Sequence, residues 1–483
     1  MNKKENWILA IVLTIYTILG LIHSNSQGFW HDEIYTLTFL KGISAYDFEG
    51  STLNLTNGIF QVNEFHDILK SDNFLENFSK QIIHEGHPPL YFVFLKGWSL
   101  LFGISEISLR GFSLFCGLLS IIFLFRIIKE YFSFPYIRWS VILFIVFNPF
   151  LLYFFTEARM YAFSFLFAII SFKYWLKYFT TRNIKYFWYF TFAGVALLYS
   201  HYYGLFFLSS LIAFDLFRNG YSQKLLKYLI PLAMFLPWGL VIKQQTTLHN
   251  VHWTDGSFSF WQSIAEFSKG MISLLFSPVS NANILQIILG VLIISFVLFY
   301  SANSWKKRYV YILLLIFYFS QIFLFDQLLD HHTIAVPRYF IFLLIFFFFT
   351  LALALKQIPK KVRVMITLGY CILAGYTNYK IVSLSKAPKQ MYREVASYID
   401  SKHNPENTII VVEPEGALTF GLIYYLNKNF TLIPAERYRK GITSDKAIFV
   451  DENLGVPFRE NKLHKEEQKE LNLIPFVGVY LYE

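Results

Sequence analysis

The chain alternates between long apolar runs and short polar segments over most of its length. Eleven runs approach the roughly 20 apolar residues that a helix needs to cross a bilayer core. A further apolar run, Pro88–Gly103, is interrupted by Lys96 and Trp98 and is about one turn short of a span, so it predicts a helix at the membrane surface. The pattern predicts an all-α polytopic membrane bundle with spans at 7–23, 105–127, 138–154, 160–178, 185–200, 202–217, 226–242, 284–302, 309–325, 338–355 and 363–383.

The pattern changes after about residue 386. Amphipathic and alternating segments there predict helices over 389–402 and 416–426 and strands over 408–412, 446–450 and 476–482. We therefore expect a transmembrane domain over 1–385, which includes a long outer loop with surface helices at 24–104. A small extracytoplasmic α/β domain is expected to follow over 386–483.

Lys and Arg set the predicted orientation. With the N-terminus inside, the inner segments hold nineteen Lys and Arg, whereas the later outer loops hold four. The sequence thus predicts a multi-pass protein of the cell (inner) membrane, with a cytoplasmic N-terminus and an extracytoplasmic C-terminal domain. Lys3 and Lys4 before the first run would also suit a signal peptide. No small-residue cleavage site follows that run, so it is expected to remain as an anchor.

Composition narrows the class further. Of 483 residues, 55% are hydrophobic and 15% are charged, where a soluble domain carries about 25% charged residues. A disordered chain and an ordinary soluble enzyme are excluded. The net charge of +10 alone would suit a nucleic-acid binder. Because the basic residues lie in the inner loops, the expected partners are membrane lipids and not nucleic acid.

Ionisable residues within or beside apolar runs are costly and mark function by default. Each such group here also has a structural interpretation, as a helix cap, a Glu–Arg pair or an Arg that reaches to the interface. Together they indicate chemistry at the outer face, on a substrate reached from the membrane. The groups are His31–Glu33, His84–Pro89, Thr156–Tyr161 and Val336–Tyr339, with Ser200–Tyr203 as a weaker candidate.

Several short segments, in this order and spacing, resemble the GT-C superfamily of glycosyltransferases that use polyprenyl-phosphate sugars. More narrowly they resemble family 39, which includes protein O-mannosyltransferases and lipid A aminoarabinose transferases. The resemblance covers about residues 7–350 and is specific as a set. The segments are Trp30–Glu33, His87–Phe92, Leu101–Glu106, Leu109-Arg110, Glu157–Tyr161, Leu198–Gly204 and Arg338-Tyr339.

The resemblance implies transfer of a hexose or pentose from a polyprenyl-phosphate donor to a hydroxyl of a lipid, glycan or protein acceptor. Asp32 is the implied catalytic base, with Glu33 as the alternative. Glu157 is either a second carboxylate near the oxocarbenium-like centre or a residue that positions Arg159. An oligosaccharide transferase or polymer ligase of the same superfamily would share this chemistry. A polytopic transporter is a rival from another class, and it would carry its charged residues nearer the bilayer midplane.

Binding roles follow from the same resemblance. Arg offers bidentate hydrogen bonds to phosphate, and a divalent cation held by Asp32 and Glu157 stays an open alternative. The sugar and the acceptor are not indicated by the sequence. The expected donor-phosphate ligands are Arg338, Arg159 and His87, and the expected pocket residues are Tyr161, His201 and Tyr339.

Overall fold

The computed structural model describes residues 3–43, 60–70, 72–220, 223–248, 256–277, 284–302, 305–383, 391–412, 416–434, 446–451, 473–476 and 479–482. It falls into two compact units. The helical unit comprises Met1–Ser24, Gly86–Phe94 and Leu109–Ser383, and the mixed unit comprises Asn25–Glu85, Leu95–Ser108 and Leu384–Glu483.

The described residues are mostly helical, and every predicted span coincides with helix. The helices are α1 (Lys3–Asn25), α2 (His31–Lys41), α3 (Val62–Lys70), α4 (Phe74–Glu85), α5 (Leu90–Phe102), α6 (Glu106–Tyr131), α7 (Pro135–Val146), α8 (Pro149–Phe155), α9 (Tyr161–Thr181), α10 (Ile184–Leu198), α11 (Gly204–Asn219), α12 (Leu229–Phe235), α13 (Gly239–Leu248), α14 (Phe260–Phe276), α15 (Ile284–Ala302), α16 (Trp305–Leu329), α17 (Leu343–Leu355), α18 (Lys360–Ser383), α19 (Tyr392–Lys402) and α20 (Gly416–Tyr425).

The strands are short, and they belong to the mixed unit. They are β1 (Phe60–Gln61), β2 (Thr408–Val412), β3 (Thr431–Pro434), β4 (Lys446–Asp451), β5 (Leu473–Phe476) and β6 (Val479–Tyr482).

The apolar helices are those of a multi-pass membrane protein. Within the described ranges, four continuous helical stretches are long and apolar enough to cross a bilayer, and a fifth results if the bent pair α7 and α8 is one span. The total of eleven spans stays a prediction. Sequence reasoning missed α14, whose 17 residues lie in a segment assigned to an outer loop. Its Met271, Leu274 and Phe276 are buried.

Prolines break two of the predicted spans at positions that matter for the site. The axes of α7 and α8 differ by 59°. Pro149 has no N–H to continue the helix, and Asn148 caps the new one, accepting a hydrogen bond from the Leu151 N–H at 2.8 Å. The span predicted from residue 338 begins instead as a 3₁₀ turn, Pro337–Phe340, before α17. After the first break, the short helix α8 leads to the polar turn at 156–160. The second break itself contains Arg338 and Tyr339. The sequence singled out both of these segments.

An ion pair between the solvent-exposed Arg182 and the buried Asp215 fastens the end of α9 to α11. Arg182 donates two hydrogen bonds to Asp215, at 2.6 and 2.8 Å, and Tyr228 donates a third at 2.6 Å. Asp215 is fully buried, and a buried carboxylate is tolerated when its oxygens are paired in this way. These residues lie at helix ends that the charge pattern assigns to the inner side.

The mixed unit has a six-stranded sheet in the order β1-β3-β2-β4-β6-β5. The three central strands are parallel, whereas β1, β6 and β5 pair antiparallel with their neighbours. The β-branched run of β2 is buried along its whole length, as expected for a central parallel strand. The division predicted at residue 385 stays a prediction. The mixed unit also includes Asn25–Glu85 and Leu95–Ser108, since β1 from the first loop joins this sheet.

Helix α2 of the mixed unit is held at its C-terminal end. Gly42 follows it with φ +74°, a left-handed conformation that favours glycine. The Lys96 ammonium donates to the Leu40 carbonyl oxygen at 2.9 Å and to the Asp72 carboxylate at 2.6 and 2.7 Å. Asn77 donates to the Gly42 carbonyl oxygen at 2.8 Å.

Two glycines of equal φ give a matched test of this end of α2. A Cβ at Gly42 would overlap the Asn73 backbone, whereas a Cβ at Gly103, also at φ +74°, would meet open space. We expect Gly103→Ala to cost about 1–2 kcal/mol of stability from backbone strain alone. Gly42→Ala should cost roughly 1–3 kcal/mol more because the backbone must also move. Thermal unfolding of both variants in detergent measures the difference, and equal losses would contradict this packing.

Candidate active site

Four polar connections at helix ends of the helical unit carry the candidate site. They are the turn before α5, the turn between α8 and α9, the connection between α10 and α11, and the 3₁₀ turn before α17. The Leu90 N–H donates to the Tyr199 carbonyl oxygen at 2.9 Å, which ties the first connection to the third. The contacts described next join all four.

His87 and Arg159 connect the first two turns. An Arg159 guanidinium nitrogen lies 3.3 Å from His87 Nδ1. Because a guanidinium only donates, His87 accepts at Nδ1 and keeps Nε2 as a donor. Arg159 is 4% exposed, so its charge lies in surroundings where an anion would be bound strongly.

His201 lies at the centre of these contacts. Its ring centroid is 6.4 Å from that of His87, 5.8 Å from that of Tyr161 and 6.2 Å from that of Tyr339. The residue is 2% exposed. The sequence placed His201 in the pocket only as a weak candidate, whereas the structure groups it with three other predicted site residues.

The hydrogen bonds of His201 define its tautomer. Nδ1 accepts from the Tyr203 N–H at 3.2 Å, so the neutral ring carries its proton on Nε2. Among the described residues, Nε2 has no hydrogen-bond partner. A buried donor of this kind is costly when unsatisfied, and an acceptor atom of a bound ligand would satisfy it.

Burial lowers the pKa of His201 well below its usual range, and electrostatic interactions with His87, Arg159 and Arg338 lower it further. The two guanidinium groups disfavour another positive charge beside them. His201 is therefore neutral at physiological pH and acts as a hydrogen-bond donor, not as a cation.

Arg338 and Tyr339 are presented by the 3₁₀ turn. The Tyr339 ring stacks on Tyr203, with centroids 4.3 Å apart and planes at 15°, and the Arg338 guanidinium lies 5.8 Å from the Tyr339 ring centre. Tyr318 of α16 donates to the Tyr339 carbonyl oxygen at 2.8 Å, which fixes the turn. The sequence included Tyr203 in the weaker candidate group Ser200–Tyr203 and gave it no role of its own.

Glu157 lies in the tight turn between α8 and α9. The Arg159 N–H donates to the Glu157 carbonyl oxygen at 2.7 Å, and the Glu157 side chain is fully buried. Tyr161, which opens α9, is 2% exposed. The turn thus presents a carboxylate and a guanidinium from one short segment of backbone.

Asp32 and Glu33 belong to the mixed unit, in the first turn of α2. The Glu33 carboxylate accepts from the Trp30 N–H at 3.3 Å, and Glu33 is fully buried. Glu33 is thus used to cap its own helix. Asp32 is only partly buried, and the choice between the two acids as the base stays a prediction.

Within the ranges that the structure describes, no group of three His, Cys, Asp or Glu side chains could hold a metal ion. The cation considered for Asp32 and Glu157 therefore stays a prediction, and no step below depends on it.

Comparison with known protein families and with curated sequences gives the following two findings. Residues 86–241 match the family described as dolichyl-phosphate-mannose-protein mannosyltransferase, a segment that includes His87, Glu157, Arg159, Tyr161 and His201. No curated protein sequence matches the chain significantly.

Two crystal structures of ArnT from Cupriavidus metallidurans share the fold. One is bound to undecaprenyl phosphate and matches with a TM-score of 0.57, and the other is in the apo state and matches with 0.58. Each is 11% identical in sequence and is covered over 98% of its length, while 99% of this chain is covered. The chain shares the fold of these two structures over nearly its whole length. The resemblance inferred from short motifs is thereby confirmed, and the fold match extends it to nearly the whole chain.

The buried neutral His201 predicts a pH effect on stability. In the unfolded chain this side chain binds a proton below about pH 6.5, whereas in the folded protein it stays neutral. Unfolding is therefore favoured as the pH falls through this range, by up to about 1.4 kcal/mol per pH unit. His201→Asn, which keeps an acceptor for the Tyr203 N–H, should lose less thermal stability than the wild type between pH 7.5 and 5. Equal losses would mean that His201 is protonated in the folded state.

Proposed function

We propose that this protein transfers a single sugar from a polyprenyl-phosphate donor to an acceptor hydroxyl at the extracytoplasmic face of the cell membrane. The observation that carries the proposal is the cluster of His87, Arg159, His201 and Arg338, four anion-binding side chains gathered by helix ends of an otherwise apolar unit. Ionisable side chains in such surroundings are costly to bury and mark functional sites by default.

The cluster suits a leaving phosphate. As the bond between C1 of the sugar and the phosphate oxygen breaks, negative charge accumulates on the phosphate. The Arg159 and Arg338 guanidinium groups stabilise that charge, and the neutral His201 donates a hydrogen bond from Nε2 without adding a competing proton equilibrium. Fixed donors of this kind in a buried site are the main source of catalysis in many group transfers.

The acids complete the chemistry. The acceptor oxygen forms the new bond to C1, the hydroxyl proton passes to Asp32, and the lipid phosphate departs. Glu157 supplies negative charge for the oxocarbenium-like sugar. The part given to Asp32 rests on the motif that it shares with the family and on its accessibility in α2, since Glu33 caps the helix.

A groove in the helical unit suits the lipid part of such a donor. It has a volume of about 430 Å³ and is lined almost wholly by apolar side chains of α14, α15 and α16, among them Phe267, Met271, Leu298 and Phe319. Phe267 also contacts Phe340, with ring centroids 5.4 Å apart, and Phe340 belongs to the same turn as Arg338. An isoprenoid chain in this groove would leave its phosphate near that turn.

The direct test uses the purified full chain in liposomes with polyprenyl-phosphate hexoses and pentoses labelled in the sugar. Release of one lipid phosphate for each sugar found in acceptor is expected. Label that enters the liposomes still attached to lipid would instead favour a transporter. Transfer only of preassembled oligosaccharides would favour the ligase of the same superfamily.

Asp32→Asn should lower the rate of transfer by about a hundredfold or more, because loss of a positioned general base costs roughly 10²–10⁴ in rate. Donor binding should persist. Asp67→Asn is the matched control, since Asp67 is an exposed acid of the same unit, paired with Lys70. An Asp32→Asn variant that transfers sugar at the wild-type rate would exclude Asp32 as the base.

Arg338→Ala should weaken binding of the lipid-phosphate donor by about ten- to a hundredfold, because a charge-assisted hydrogen bond contributes roughly 1.5–3 kcal/mol. Arg338→Lys should lose less because it keeps the charge but not the bidentate geometry. Arg218→Ala, which changes an exposed Arg at the end of α11, is the control. Donor titration measured by fluorescence or calorimetry distinguishes the variants, and unchanged affinity of Arg338→Ala would remove it from the phosphate site.

A further inference from the structure

The hydroxyl of Tyr425, the last residue of α20, joins two distant parts of the mixed unit. It accepts a hydrogen bond from the Phe29 N–H at 2.6 Å and donates one to the Glu106 carboxylate. The other oxygen of Glu106 accepts from Arg393 of α19 at 3.1 Å. The carboxylate thereby orients the tyrosine, and the tyrosine orients the backbone of the first loop.

Packing at the same place leaves little freedom. A Cβ on Gly28 would lie 2.8 Å from the Arg393 Cβ and 3.1 Å from the Tyr425 hydroxyl, so the chain passes α19 and α20 at the closest distance that a glycine allows. Phe29 is fully buried, and its ring lies 5.7 Å from that of Tyr424. The polar contact to Tyr425 and the apolar contact to Tyr424 both hold Phe29.

These residues lead directly into α2. Trp30 follows Phe29 and accepts the first helical hydrogen bonds, from the Glu33 and Ile34 N–H groups at 2.9 Å. Asp32 lies in that first turn. Because the helix is rigid and its far end is held by Lys96 and Gly42, the position of Asp32 depends on where Phe29 is held.

We infer that Tyr425 is a positioning residue for Asp32, and that α19 and α20 serve transfer by fixing the acidic turn of the first loop. The inference rests on the proposed function in one respect, the role of Asp32 as base. It assigns a catalytic purpose to a C-terminal segment for which the sequence offered no motif. A misplacement of about 1 Å can cost a hundredfold in rate, so a single hydrogen bond at this point is sufficient to matter.

The test compares Tyr425→Phe with Tyr398→Phe. Both remove one hydroxyl from the mixed unit, and Tyr398 lies on α19 beside His403. We expect Tyr425→Phe to lower kcat at least about tenfold, with the donor KM within about twofold of the wild type, and Tyr398→Phe to match the wild type. Donor-binding stoichiometry near one per chain shows that the protein is folded. Wild-type kcat in Tyr425→Phe would overturn the inference.

A double variant separates positioning from a general loss of structure. If Tyr425 acts through Asp32, adding Tyr425→Phe to Asp32→Asn should not lower the residual transfer rate further. If the two losses multiply, Tyr425 has a separate role and the inference fails.

Hydrogen exchange gives a readout that needs no activity. Residues 29–36 should exchange their amide hydrogens faster in Tyr425→Phe than in Tyr398→Phe or the wild type. Unchanged exchange would overturn the positioning role even if the wild type transferred no sugar. If Tyr425→Phe exchanges faster but the wild type transfers no sugar, the positioning role stands and only the proposed function is contradicted.

Discussion

The cost of burying charge among apolar helices governs the arrangement of the helical unit. Glu157, Arg159 and His201 are each less than 5% exposed, in a chain with only 15% charged residues. Desolvation makes each of these groups expensive unless others compensate it. His201 responds by staying neutral, and Arg159 responds by donating to His87. The cluster brings guanidinium groups and the His201 Nε2 donor together, which is the arrangement that the proposed phosphate site requires.

Helix ends place these groups, and prolines determine where the helices end. Pro149 turns the chain by 59° between α7 and α8, and α8 then leads to the turn with Glu157 and Arg159. Pro337 opens the 3₁₀ turn with Arg338 and Tyr339, which Tyr318 and Tyr203 hold in place. In the mixed unit, Gly28 and Gly42 have the equivalent task at the two ends of α2. Rigid elements thus carry the candidate site residues, and prolines and glycines occur where the chain must turn.

The sequence singled out candidate site residues because a scarce charge in an apolar run is easily recognised. Glu157, Arg159 and Arg338 were found in this way, and motif resemblance added His87. Other features depend on contacts that no local pattern encodes. The stacking of Tyr203 on Tyr339 joins residues on different helices, and β1 pairs with β3 although one comes from the first loop and the other from the C-terminal segment. The helix α14 was missed because its polar flanks and its length resemble those of a loop between spans. The hydrogen bond from the Trp30 N–H that identifies Glu33 as a helix cap is a further contact of this kind.

The central claim is that the buried cluster binds the phosphate of a lipid-linked sugar. The most direct measurement is an experimental structure of the full chain in lipid nanodiscs with a polyprenyl phosphate bound. The account predicts phosphate oxygens at about 2.7–3.2 Å from the guanidinium group of Arg338 and from His201 Nε2, with the isoprenoid chain along the groove of α14, α15 and α16. A phosphate bound elsewhere, with His201 Nε2 still lacking an acceptor, would contradict it.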